Sequence, residues 1–156
     1  MRDNRWLELK LQDIWNRYFL DIEKLNDVKI RFGRKARTRL GSIKKQDDGS
    51  TLITINSLLK IGEVPEFVIQ GTIAHELVHY AHGFSSPHLK RFDHPHKGGV
   101  VGKEMATRGL EDILILQKRW LKENWKNFLD SHHPRVATKR KVRRKKIKRY
   151  AFLLKR

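Results

Sequence analysis

The stretch Ile73–Gly83, IAHELVHYAHG, decides how this chain is read. His75 and His79 stand four residues apart, so on a helix they lie on one face, one turn above the other. Two imidazole nitrogens can then aim at one point. Zinc accepts nitrogen at about 2.0–2.1 Å, so the pair forms half of a tetrahedral site. Glu76 is offset by about 100° around the helix. That makes it a poor third ligand on the same ridge but places it beside the remaining coordination position, where a carboxylate can take a proton from an activated water. The alternative is a histidine-rich helix without a metal.

The surroundings of the motif predict a buried helix. Pro65 suits the first turn of a helix that runs to about His82, with Gly83 as its stop. Ile69, Ile73, Leu77 and Tyr80 mark one apolar side, and Ala74, Val78 and Ala81 another. A helix apolar on two sides is an interior element, where histidines are unusual. Six of the eight histidines fall between His75 and His96. His82 shares a face with His79 but lies a further turn on, and reads as a helix-end residue. His88, His94 and His96 are the candidates for a third ligand, since a loop can carry them back across a cleft. His96 has the firmer support, at the start of a weak helix in KGGVVGKEMATRG. Asp93 and His94 are candidates for outer contacts to the ligands, and His88 reads best as an exposed loop residue.

Working outward, Leu7, Leu11, Ile14, Trp15, Tyr18, Ile22 and Leu25 recur at helical spacing and predict an amphipathic helix of about six turns. VKIRFG, ARTRLGSIKK and TLITIN read as three short strands of an antiparallel or mixed sheet, with QDDGS as a turn. Leu110, Ile113, Leu114, Leu121, Trp125 and Phe128 form a second long apolar stripe, ended by SHHPR. The fold class expected is α+β, with one domain over residues 1–134 and a basic tail over residues 135–156.

Charge adds a second theme. The 156 residues carry a net charge of +18, and residues 135–156 hold twelve Lys and Arg without an Asp or Glu. The first 134 residues therefore keep 23 basic and 17 acidic groups, a net +6. So dense a run of cations repels itself and attracts polyanions, most commonly phosphate backbones. Ile147, Tyr150, Ala151 and Leu154 give that tail the spacing of an amphipathic helix. RFGRKARTR adds five basic residues on an expected hairpin, and Phe32 and Phe84 offer stacking faces for unpaired bases. No sequence-specific nucleic-acid reader is visible. The chain has no cysteine, which excludes disulfides and thiolate metal sites and fits a reducing cytoplasm. MRDNRWLELK lacks the apolar stretch of a secretory leader. Apolar runs such as Ile113–Leu116 are far too short to cross a bilayer.

HELVH at His75–His79, PHKGGV at Pro95–Val100, RLGSI at Arg39–Ile43, ITINSLL at Ile53–Leu59 and WNRYF at Trp15–Phe19 together carry a resemblance. The chain resembles the SprT-like zinc metalloproteases, the zincin-like group related to the Spartan proteases, over residues 13–105. Lys97 and Val100 stand where that family has a glycine and an aromatic. The four-cysteine ribbon that ends many bacterial relatives has no counterpart here. The resemblance implies zinc ligands at His75, His79 and His96, a catalytic base at Glu76, and a DNA-gated site that tolerates many protein sequences. It implies a small metalloprotease fold with a short sheet packed on an N-terminal helix and on the HExxH helix.

Three functional classes follow. The favoured one is a zinc endopeptidase associated with DNA, acting on DNA-bound proteins in the cytoplasm, at the nucleoid if the source is bacterial or archaeal. The second is a zinc peptidase whose tail docks an acidic partner or membrane surface. The third is a non-catalytic nucleic-acid-binding protein with a structural metal. Glu76 argues against the third, because a structural zinc has no use for an acid beside an open position.

Overall fold

The structure, a computed structural model, describes residues 2–135. The basic tail beyond Arg135, with the helix expected around Ile147–Leu154, lies outside the described residues. Helix α1 spans Asn4–Tyr18, with the carboxylate of Asp3 accepting the Trp6 N–H at 2.8 Å as its N-cap. Leu7, Leu11, Ile14 and Trp15 form its buried stripe. The apolar spacing runs on to Leu25, but the helix does not. Arg108 donates to the Tyr18 carbonyl at 2.8 Å, taking the acceptor that Ile22 N–H would use in a longer helix. Phe19 is fully buried, Ile22 re-enters the core through a turn, and Leu20 and Leu25 are exposed.

Three strands follow: β1 at Val28–Phe32, β2 at Gly41–Lys45 and β3 at Thr51–Ile55. Their order in the sheet is β1-β3-β2. Strand β3 takes the centre because it is the most apolar of the three, with Thr51, Ile53 and Ile55 all buried. It pairs parallel with β1 (Ile30 opposite Ile53) and antiparallel with β2 (Ile43 opposite Ile53). The β2–β3 connection is a tight turn in which Gly49 adopts φ 79°. The basic segment RFGRKARTR does not form the hairpin its sequence suggests. β1 and β2 are separated by β3, so the segment crosses from one edge of the sheet to the other. Asn56, at the end of β3, pins this crossover: its amide donates to the Ala36 carbonyl at 2.6 Å and the Arg39 carbonyl at 2.8 Å.

Helix α2, Glu66–Ala81, follows Pro65 and is buried along most of its length. Its C-terminus closes as a Schellman motif, with Gly83 N–H bonded to the Tyr80 carbonyl at 3.1 Å and Phe84 N–H to the His79 carbonyl at 2.9 Å. After a loop come a 3-10 turn at Lys97–Gly99, helix α3 at Val100–Thr107 and helix α4 at Glu111–His132. The core lies between α1, α2 and the inner face of the sheet, and α4 covers the far side of α2. The fold is α+β. Among the described residues no helix is long and apolar enough to cross a membrane.

Gly83 combines a left-handed backbone with close approach of another main-chain segment. Its φ is +79°, and a Cβ there would lie 2.4 Å from the Leu89 carbonyl oxygen. Gly83→Ala is expected to destabilise the chain by about 2 kcal/mol or more, measured as a lowered urea midpoint. An unchanged midpoint would show that the Leu89 loop is free to move away.

Candidate metal centre

His75, Glu76 and His79 project from the buried helix α2, and His96 arrives on the residue that opens the Lys97–Gly99 turn. The Nε2 atoms of His75 and His79 are 3.1 Å apart. Two nitrogens on one tetrahedral zinc at about 2.0–2.1 Å lie roughly 3.3 Å from each other, so the pair already has the spacing of co-ligands. His96 completes the group: one ring nitrogen from each of the three histidines lies within 4.8 Å of the others. The His96 ring centroid is 4.7 Å from that of His79 and 5.4 Å from that of His75.

Burial sets the charge state of the helix residues. Desolvation, followed by the charge of His96, pushes His75 down from 6.5 to about 4. Desolvation, followed by the neighbouring histidines, pushes His79 down to about 3. Both imidazoles are therefore neutral at pH 7, the state in which the ring nitrogen offers a lone pair to a metal. Glu76 is 5% exposed, and burial raises its pKa from 4.5 to about 7, opposed by the charge of Arg39. A carboxylic group poised near neutrality exchanges a proton with little driving force lost in either direction. The Nδ1 of His79 is buried without a hydrogen-bond partner among the described residues. Packing holds this ring instead, through Phe84 at 6.0 Å edge-on.

These groups line a cleft of ≈ 650 Å³ between α2, β2 and the loop that follows α2. Its width depends on Gly41. A Cβ there would stand 2.7 Å from the Thr72 side chain and 2.8 Å from the Glu76 carboxylate, so only glycine lets β2 lie this close to the helix. Neutral nitrogen donors on two sides of one point, with an acid beside them, fit a zinc ion. They would suit the harder, oxygen-seeking cations poorly.

The other histidines do not join. His82 caps α2 but is not a simple helix-end residue: it is 1% exposed, packs on Phe92 and sits 3.7 Å from the Glu104 carboxylate. His88 donates to the Glu23 carbonyl at 2.9 Å and stacks edge-on against Tyr80. Asp93 and His94 are exposed, and neither side chain bonds a ligand histidine among the described residues. Phe32 packs against the core beneath Lys60.

Two cleft residues escaped the sequence reading. Arg39 lies on its rim. Gln117 of α4 is 7% exposed and donates to the Val68 carbonyl at 2.9 Å and the Thr72 hydroxyl at 3.1 Å, tying α4 to α2 beside the site. Its signal was available, since Gln117 is a polar residue on the apolar stripe between Leu114 and Leu121. A scan against protein-family models finds no match, and searches of curated proteins and of solved structures find none.

Two outcomes are expected. His96→Ala loses bound zinc in metal analysis, whereas His94→Ala keeps it; the reverse would move the third ligand. In chelator-treated protein the pH dependence has a defined sign. A Glu76 pKa raised from 4.5 to about 7 stabilises the fold fully below 4.5 and ceases to do so as pH rises through 7. Glu76→Gln is therefore more stable than wild type at pH 8, by about 3 kcal/mol, and the gap narrows as pH falls from 7 towards 4.5. The lowered His75 and His79 act oppositely, costing stability as pH falls below 6.5 in both proteins. A gap that does not vary with pH would contradict the burial of the carboxylate.

Proposed function

We propose that this chain is a zinc-dependent endopeptidase of the SprT-like type, associated with DNA and acting on DNA-bound or crosslinked proteins. The observation that carries this reading is the convergence of His75, His79 and His96 beside the buried, near-neutral Glu76 in one cleft. His75, His79 and His96 would hold the ion. When bound, zinc supplies Lewis acidity, which polarises a peptide carbonyl and lowers the pKa of water.

The chain's own residues do the rest. Glu76 accepts a proton as water oxygen bonds to the carbonyl carbon, and returns a proton to the leaving amine as the C–N bond breaks. Its low exposure keeps bulk water from competing for that proton. Gly41 holds β2 against the helix, so the cleft wall facing a substrate chain is extended backbone. Gln117 fixes Thr72 and α4 against the back of the helix. The DNA association rests on charge: the net +18, concentrated in residues 135–156, favours a sequence-tolerant, salt-sensitive hold on phosphate backbones. Such a protein would work in the cytoplasm, at the nucleoid of a bacterium or archaeon.

Glu76→Gln is expected to retain zinc and lose hydrolysis of an unfolded DNA-binding protein by about 10²–10⁴-fold in kcat/KM. The assay pairs metal analysis with proteolysis in the presence and absence of DNA. A zinc-loaded wild type that cleaves nothing, or a variant that cleaves at the wild-type rate, would overturn the peptidase reading.

A further inference from the structure

We propose that a second, smaller cavity beside the metal cleft is a phosphate site that seats a strand of nucleic acid at the cleft's rim. The cavity is ≈ 180 Å³ and is lined by Arg34, Arg39, Ser42, Thr54 and Asn56 among others. Arg39 also lines the metal cleft, so the two hollows share a wall. The inference rests on the DNA association proposed above, and not on the peptidase chemistry.

The sequence around it is one-signed. Residues 31–46 contain seven Lys and Arg and no Asp or Glu. Of these, Arg37 is committed to the fold: it pairs with Asp130 at 3.4 Å and donates to the His133 carbonyl. Arg34 and Arg39 have no ion pair among the described residues, and both are exposed. The hydroxyls of Ser42 and Thr54 likewise have no hydrogen-bond partner among the described residues. Guanidinium forks and hydroxyl donors converging on a small hollow are what a phosphate group requires.

The sheet extends the site into a track. Arg31 lies opposite Thr54, which lies opposite Ser42, and in the next row Leu52 lies opposite Lys44; Lys29, on the other side of Leu52, is committed to Asp48 at 3.2 Å and Asp27 at 3.5 Å. Strand alternation puts both rows on the face away from the core, since Ile30, Ile53 and Ile43 occupy the other. A single free phosphate has no use for the outlying Arg31 and Lys44; a backbone with successive phosphates does. Asn56 fixes the loop that carries both arginines by holding the Ala36 and Arg39 carbonyls, so the site is formed before the strand arrives.

The test uses the full zinc-loaded chain and fluorescently labelled single- and double-stranded DNA, with affinity followed by anisotropy across a salt series. Arg34→Ala/Arg39→Ala is compared with Lys118→Ala/Lys122→Ala, which removes equal charge from the exposed face of α4. The arginine pair is expected to flatten the slope of log Kd against log salt by about 1.5–2, the yield of two phosphate contacts, and the α4 pair by less than about half a unit. Arg34→Lys/Arg39→Lys should keep most of the slope, because a point charge replaces each fork. Equal effects of the two alanine pairs, or no effect of the arginine pair while wild type binds, would overturn this site alone. Failure of wild type to bind would overturn the DNA association with it. Saturable binding of inorganic phosphate, lost in the arginine pair without change in the DNA slope, would reassign the cavity to the free ion and overturn the strand.

Discussion

An imidazole or carboxylate removed from water must be neutral, paired or bound to a cation, because burying an isolated charge costs many kcal/mol. Helix α2 imposes that condition on three of its residues at once. It is covered by the sheet on one side and by α4 on another, and two glycines let those neighbours come close. Gly41 brings β2 against Thr72 and Glu76, and Gly71 leaves room for the Gln117 amide, which a Cβ would approach to 2.6 Å. The result is a pair of neutral histidines and a carboxyl group pushed to about 7 by the same desolvation. The chemistry proposed for the site thus comes from core packing: a solvated helix with the same residues would carry an ionised glutamate and partly protonated histidines.

The third histidine has a different origin. His96 belongs to an exposed loop segment, and its position depends on how the preceding loop is fastened. The Thr51 hydroxyl donates to the Ser85 carbonyl at 2.7 Å, and the Ser86 hydroxyl to the Tyr80 carbonyl at 2.7 Å. Arg91 N–H bonds the His82 carbonyl at 3.0 Å. These bonds turn the chain back over the end of α2 after Gly83 has reversed it. The buried His82 and the Glu104–Arg108–Asp21 ion pairs then tie α3 to the ends of α2 and α1. The metal centre joins a rigid half on a core helix to a half held by loop hydrogen bonds, and the second half sets how well the three nitrogens converge.

Much of this was legible in the sequence because it depends on local spacing. The i, i+4 histidines, Pro65 and Gly83 mark α2 and its ends, and the apolar stripes mark α1 and α4. What the sequence hid depends on distant partners. Leu25 fits the α1 stripe, yet Arg108, far along the chain, takes the carbonyl that would have continued the helix. Alternation in ARTRLGSIKK and VKIRFG suggests adjacent strands, but alternation does not encode strand order, and β3 intervenes because it is the most apolar. Arg39 looked like one cation in a basic run. Only the crossover, pinned by Asn56, brings it beside Glu76.

X-ray absorption at the zinc edge of the zinc-loaded chain tests the central claim most directly. The account predicts a first shell of nitrogen and oxygen at about 2.0–2.1 Å with outer-shell scattering from three imidazole rings. A shell dominated by oxygen, or scattering from no more than two rings in the wild-type chain, would contradict it.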